Sequence, residues 1–179
     1  MELLLGFSPF IVFALIATHL SPSVGLAVGA IIAIALVVRT YLRLQAFRIL
    51  EVGAAVLMTV LAVFTLSSGT EPSILTVRLL VDSGMLVIVL LSLVLRMPFT
   101  MQYARETVDP EYWNTPAFVG RNYQITGVWA GIFAFLVCVE AAMLFNPSIP
   151  QHLGFAAIIV ALILGFRYTA KAGKSAVAA

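Results

Sequence analysis

Apolar residues fall into six long runs, near Leu3 to Leu20, Val24 to Leu42, Phe47 to Ser67, Leu75 to Met97, Tyr123 to Phe145 and His152 to Ala170. Each is close to the roughly 20 residues that a helix needs to cross a bilayer. The breaks are rich in turn formers: SerProSer at Ser21 to Ser23, SerSerGlyThrGluPro at Ser67 to Pro72 and AsnProSerIlePro at Asn146 to Pro150. The pattern predicts one all-α membrane domain over residues 1–179, a bundle of six transmembrane helices.

One longer stretch, Met97 to Arg121, lacks membrane-grade hydrophobicity. Between Phe99 and Val108 it predicts a short interfacial helix with aromatics toward lipid and charges toward water. Asp109 followed by Pro110 predicts a helix N-cap with proline at the first helical position, and a second short helix carrying Tyr112 and Trp113. Tyr103, Arg105, Asp109, Tyr112 and Trp113 form the expected interaction surface of this loop.

Composition strengthens the membrane reading. The chain is 62% hydrophobic and 10% charged, with a mean hydropathy of +1.10, where soluble domains carry about 25% charged residues. Charge then orients it, because cytoplasmic loops collect Lys and Arg. With six spans, Arg39, Arg43, Arg48, Arg96, Arg105, Arg121, Arg167, Lys171 and Lys174 share one side and only Arg78 falls on the other. The expected topology is N-in, C-in. Glu2 stands where a signal peptide would be basic, so the first span is expected to remain. A net charge of +2 without a basic cluster argues against nucleic-acid binding.

Small residues at Gly25, Gly29 and Ala33, and again at Gly127 and Gly131, lie four apart and allow close helix approach. Internal packing is the preferred reading, with a homo-oligomer interface as the alternative. The single cysteine, Cys138, lies in an apolar run, where a small packing role is expected.

Ionisable groups inside a bilayer are costly and suggest function. By the six-span layout His19, Asp82, Glu140 and His152 share the outer leaflet, and carboxylates with imidazoles can ligate a transition metal or relay protons. A plainer account pairs Asp82 with Arg78 four residues before it and leaves the histidines to interfacial water. Glu51, beside Arg48, reads as an interfacial charge that snorkels or pairs. No HisGluXaaXaaHis, CysXaaXaaCys or GlyXaaGlyXaaXaaGly is present, and nothing argues for an enzyme or a cofactor.

PheSerProPhe at Phe7 to Phe10, AspProGluTyrTrp at Asp109 to Trp113 and ValTrpAlaGlyIlePhe at Val128 to Phe133, within a six-helix layout, distantly resemble the intracellular septation protein A family of bacterial inner-membrane proteins. In that register Glu140 matches a position where the family tends to place Asn. The resemblance implies a non-enzymatic role in the cell envelope and division, through contacts with the lipid bilayer and other membrane proteins. Two other roles fit the residues: binding or moving an ion, a proton or a lipid-like cofactor, and serving as an accessory subunit of a respiratory or photosynthetic complex.

Overall fold

A computed structural model describes residues 2–177, apart from the side chains of Gln151 and of residues 174–177, so the Lys174 side chain lies outside the described set. Every regular element among these residues is helical: α1 (Glu2–Gly6), α2 (Ser8–His19), α3 (Pro22–Leu44), α4 (Ile49–Ser68), α5 (Ile74–Val94), α6 (Phe99–Ala104), α7 (Pro116–Phe145) and α8 (Gln151–Val177), with a single 3-10 turn at Pro110–Tyr112. Five of them are long and apolar enough to cross a membrane: α3, α4, α5, α7 and, within α8, His152–Gly173.

The expected first span is broken. Pro9 has no N–H to give the Leu5 carbonyl, and its ring crowds the preceding turn, so the helix is interrupted at Phe7 and leaves α2 with 12 residues. Phe7 keeps helical angles and its N–H still reaches the Leu3 and Leu4 carbonyls. The break is therefore a kink rather than a loop.

The contacts divide the chain into two compact units, Met1–Ile88 and Val89–Ala179, with the division inside α5. In the first, α2, α3 and α4 pack in sequence order. The α2–α3 approach is close because Gly25 and Gly29 sit against backbone. A Cβ at Gly25 would lie 3.0 Å from the Phe13 carbonyl oxygen, and one at Gly29 would lie 3.2 Å from that of Pro9. Phe13, Ala17, Leu26, Ala30, Met58, Ala62, Val77 and Val81 form the core. Gly53 receives Ile88 and Gly84 receives Leu57, so α4 and this part of α5 run antiparallel.

A carboxylate pins the far loop to α3. Ser21 caps α3 through the Val24 N–H, and Glu71 adds a second cap from outside the helix. It accepts from the Ser23 N–H at 2.9 Å and from the Ser23 hydroxyl. These bonds, the hydroxyl first, hold the Glu71 carboxyl below its usual range, as expected for an anion at a helix N-terminus.

In the second unit α7 packs on α6 and α8. Gly165 on α8 receives Ile132 and Trp129, while Gly154 receives Met143. The Trp129 ring meets Phe166 edge-on at 5.0 Å, and its Nε1–H donates to Thr169 Oγ1 at 3.1 Å. α7 starts at Pro116, seven residues before the expected span, because Thr115 caps it by accepting from Phe118 N–H and Pro116 takes the first helical position. Polar Arg121, Asn122 and Gln124 are thus inside the helix, beyond where hydropathy falls. Gly127 and Gly131 behave differently from Gly25 and Gly29: nothing lies within 4 Å of a Cβ placed on either. Cys138 is likewise exposed, not packed.

Candidate functional site

Of the four outer-leaflet candidates, His19 and Asp82 belong to the first unit and Glu140 and His152 to the second. Among the described residues no three His, Cys, Asp or Glu side chains come together in a way that could hold a metal ion. His19 and His152 are exposed, and His19 Nδ1–H is already directed to the Leu15 carbonyl at 2.9 Å, with Thr18 Oγ1 at 3.0 Å. Asp82 is half-buried on α5. Glu140 is fully buried on α7, along a face that also buries Phe133, Leu136 and Met143.

The Met97 to Arg121 stretch is more built than its composition suggests. The helix ends at Ala104 and is docked, not laid free along an interface: Phe99, Thr100, Met101 and Tyr103 are all buried. Thr100 Oγ1 donates to the Asn122 carbonyl at 3.0 Å and sits 2.8 Å from Thr126 Oγ1. Its single proton is spent on the carbonyl, so Thr126 is the donor between the hydroxyls. Ser92 Oγ accepts from the Phe99 N–H at 3.3 Å. Tyr103 therefore belongs to the packing and leaves the expected interaction surface.

The other four residues stay at or near the surface. Asp109 occupies the N-cap position, but of a single 3-10 turn, and its side chain makes no capping bond. The working cap with a following proline is Thr115 and Pro116, six residues on. Trp113 is held on two sides: its Nε1–H donates to the Val108 carbonyl at 2.8 Å, and the Arg105 guanidinium carbon lies 5.3 Å from its ring centroid. Tyr112, next to it, is half exposed. A hydrogen bond to Glu111 and the charge of that carboxylate hold the Tyr112 phenol above its ordinary range.

A dense charge cluster lies elsewhere, where α1, α3 and α4 meet. Arg39 and Arg43, one turn apart near the end of α3, reach Glu2 of α1. Arg39 Nη1 donates to Oε2 at 3.2 Å and Nη2 to Oε1 at 3.4 Å, a two-pronged contact; Arg43 Nη1 donates to Oε1 at 3.2 Å. The chain turns back within four residues because Gln45 takes the left-handed conformation, φ 50°, as the C-cap of α3. That reversal returns Arg48 to the same end. Arg48 Nη1 lies 2.7 Å from Glu51 Oε1 and 3.5 Å from Glu2 Oε2.

Burial separates the five groups into two sets. The Arg48 and Glu51 side chains are 4% and 2% exposed, whereas those of Arg39 and Arg43 are 41% and 49% exposed. Glu2 joins the sets, and its hydrogen bond with Arg39, followed by that with Arg43 and both positive charges, brings its carboxyl from 4.5 to about 2 despite some burial. Glu51 in the first turn of α4 also faces the positive end of that helix. With no hydroxyl or thiol nucleophile in it, the network is suited to clamping three helices and to holding an anion.

Compared with protein families, curated proteins and solved structures, the chain matches none. The network was only partly legible in the sequence. Arg48 and Glu51, three apart at a helix start, signal a local pair, but nothing in the spacing links Glu2 to Arg39 across 37 residues.

Proposed function

We propose that the chain crosses the inner membrane of a bacterium six times, with the kinked α1–α2 as the first crossing and both termini cytoplasmic, and that it acts as a non-enzymatic interaction component of the cell envelope. The resemblance to the septation family motivates the role. The observation that carries it is the Arg105 to Trp113 loop, whose Trp113 is fixed by Val108 and Arg105 while Tyr112 and Asp109 remain exposed. The half-buried, braced Trp113 gives the exposed Tyr112 beside it a fixed support, which limits the freedom lost on binding, and aromatic residues with arginine are enriched where proteins meet.

The membrane reading is supported by what the long helices expose. On α4 these are Val56, Val60, Val63 and Phe64; on α8 they are Ile159, Val160, Ile163 and Leu164. Such surfaces suit lipid. In the six-span layout the three arginines of the network fall on the side that carries nine of the ten basic residues.

Two experiments test the two parts. A reporter active only outside the cytoplasm, inserted at Gly69 to Pro72 or at Thr107, should be active in the first position and silent in the second; the reverse result rejects the orientation. Partners captured with the full-length protein should be lost on Tyr112→Ala while the unfolding midpoint is kept. Undiminished capture rejects the loop as the contact surface.

A further inference from the structure

We propose that Arg39 and Arg43 seat the phosphate of an anionic phospholipid headgroup at the Leu44 end of α3, with Glu2 holding their guanidinium groups side by side. The inference rests on the membrane reading above.

Charge supplies the first reason. Three arginines against two glutamates leave one positive charge in the network. Arg48 and Glu51 are both buried and lie 2.7 Å apart, and Arg48 is also 3.5 Å from Glu2, so the surplus reaches solvent through the exposed pair, Arg39 and Arg43, which contact no carboxylate but Glu2 among these ion pairs. Each guanidinium has five N–H donors. Glu2 takes two from Arg39 and one from Arg43, and their half-exposed side chains leave donors for an outside acceptor with phosphate geometry.

Surroundings supply the second. Val38, Tyr41 and Leu42 on the same part of α3 are exposed, as is Phe47 just beyond it, and the Tyr41 and Phe47 rings stack at 5.0 Å between centroids. Aromatic rings of this kind favour the headgroup level of a bilayer. A lipid matches both features at once, its phosphate on the guanidinium pair and its acyl chains along the apolar flank. An acidic peptide would match only the charge. Anionic lipids also concentrate on the cytoplasmic leaflet and attract basic side chains beside a transmembrane helix.

Glu2 has a definite part in this seat. A fixed carboxylate sets the spacing of two otherwise mobile side chains, at the cost of one unit of charge. Removing its charge therefore strengthens the attraction for phosphate while loosening the geometry.

The test uses full-length protein in nanodiscs of mixed phosphatidylglycerol and phosphatidylcholine. Lipid retained through affinity capture and exchange into detergent is counted by mass spectrometry. Wild type should retain phosphatidylglycerol in preference to phosphatidylcholine, and Arg43→Gln should lower that preference about fivefold, with a similar further loss in Arg39→Gln/Arg43→Gln. Arg78→Gln should leave it unchanged, and inorganic phosphate in solution should not displace the lipid. Glu2→Gln should retain the preference. The proposal is overturned if Arg43→Gln retains phosphatidylglycerol as wild type does, if Arg78→Gln loses it equally, or if wild type shows no preference between the two lipids. Wild type that fails to enter nanodiscs would instead reject the membrane reading itself. Because Arg43→Gln removes one half-exposed contact and leaves Arg39 and Arg48 on Glu2, a loss of fold, followed by thermal midpoint, is separable from a loss of lipid.

Discussion

The two compact units solve the same problem with different chemistry. Met1–Ile88 is tied by charge, through Glu2, Glu51 and three arginines at one end of α3 and through Glu71 at the other. In Val89–Ala179 neutral donors make the ties from Ser92 to Phe99, Thr126 to Thr100 to Asn122, and Trp129 to Thr169, alongside the Arg105 to Trp113 contact. Their glycines differ in the same way. Those of α3 meet backbone, which cannot move aside, whereas on α8 Gly154 meets the flexible end of Met143 and Gly165 meets Ile132 and the Trp129 ring, and on α7 Gly127 and Gly131 meet nothing. The same four-residue spacing on α3 and α7 thus serves two environments, so close approach is decided by the neighbour and not by the glycine.

The largest expected effect breaks the ionic tie. Glu51→Ala removes one partner of a buried pair and should cost about 3–5 kcal/mol, read as a lowered unfolding midpoint in detergent together with faster amide exchange in α1, α3 and α4. An effect as small as that of a surface substitution would mean that charge does not hold the first unit together. Next comes Gly25→Val, which drives a side chain into the Phe13 and Ala17 backbone and should cost about 1–3 kcal/mol by overpacking. Gly127→Val, with open space around it, should leave the midpoint nearly unchanged. Equal losses at the two sites would erase the distinction drawn between their environments.

The neutral ties should be weaker. Thr126→Val removes the donor to Thr100 while keeping shape, and should cost about 1 kcal/mol, with the exchange response confined to α6 and α7. The smallest effect concerns pH. Glu2 has its carboxyl lowered in the fold from 4.5 to about 2, so its stabilisation is present above 4.5 and is lost as pH falls through that window. Glu71 is shifted in the same direction and adds to the same acid response. Thermal midpoints measured from neutral pH down to the foot of the window should fall, and Glu2→Gln should flatten the fall; an identical acid response in that variant would remove Glu2 as its source.

Much of the helical layout was legible because bilayer-length apolar runs and turn formers alternate cleanly. The breaks at Ser21 to Ser23, Ser67 to Pro72 and Asn146 to Pro150 coincide with the ends of helices. What hydropathy could not convey was backbone chemistry inside a run. Pro9 sits among apolar residues and interrupts the helix by lacking an N–H, and Thr115 with Pro116 starts α7 in polar sequence because capping depends on a hydroxyl and a fixed φ. At the site, the local partners of Arg48 and Trp113 lie within five residues of them. The Glu2 contact with Arg39, 37 residues away, and the burial of Tyr103 were not legible because no local spacing signals them.

The lengths of two helices carry a consequence for the membrane around them. α7, with 30 residues, rises about 45 Å, while the kinked α1–α2, from Glu2 to His19, rises about 27 Å, against a hydrocarbon layer of roughly 30 Å. The polar residues Arg121, Asn122 and Gln124 put the less apolar surplus of α7 in its first turns, which in the proposed layout lie at headgroup depth. Crossing as proposed, the short element would have no such surplus, and local thinning of the bilayer would relieve it. In the proposed layout hydrophobic mismatch falls unevenly on this chain, and bilayer thickness becomes a variable to which its N-terminal half is the more sensitive.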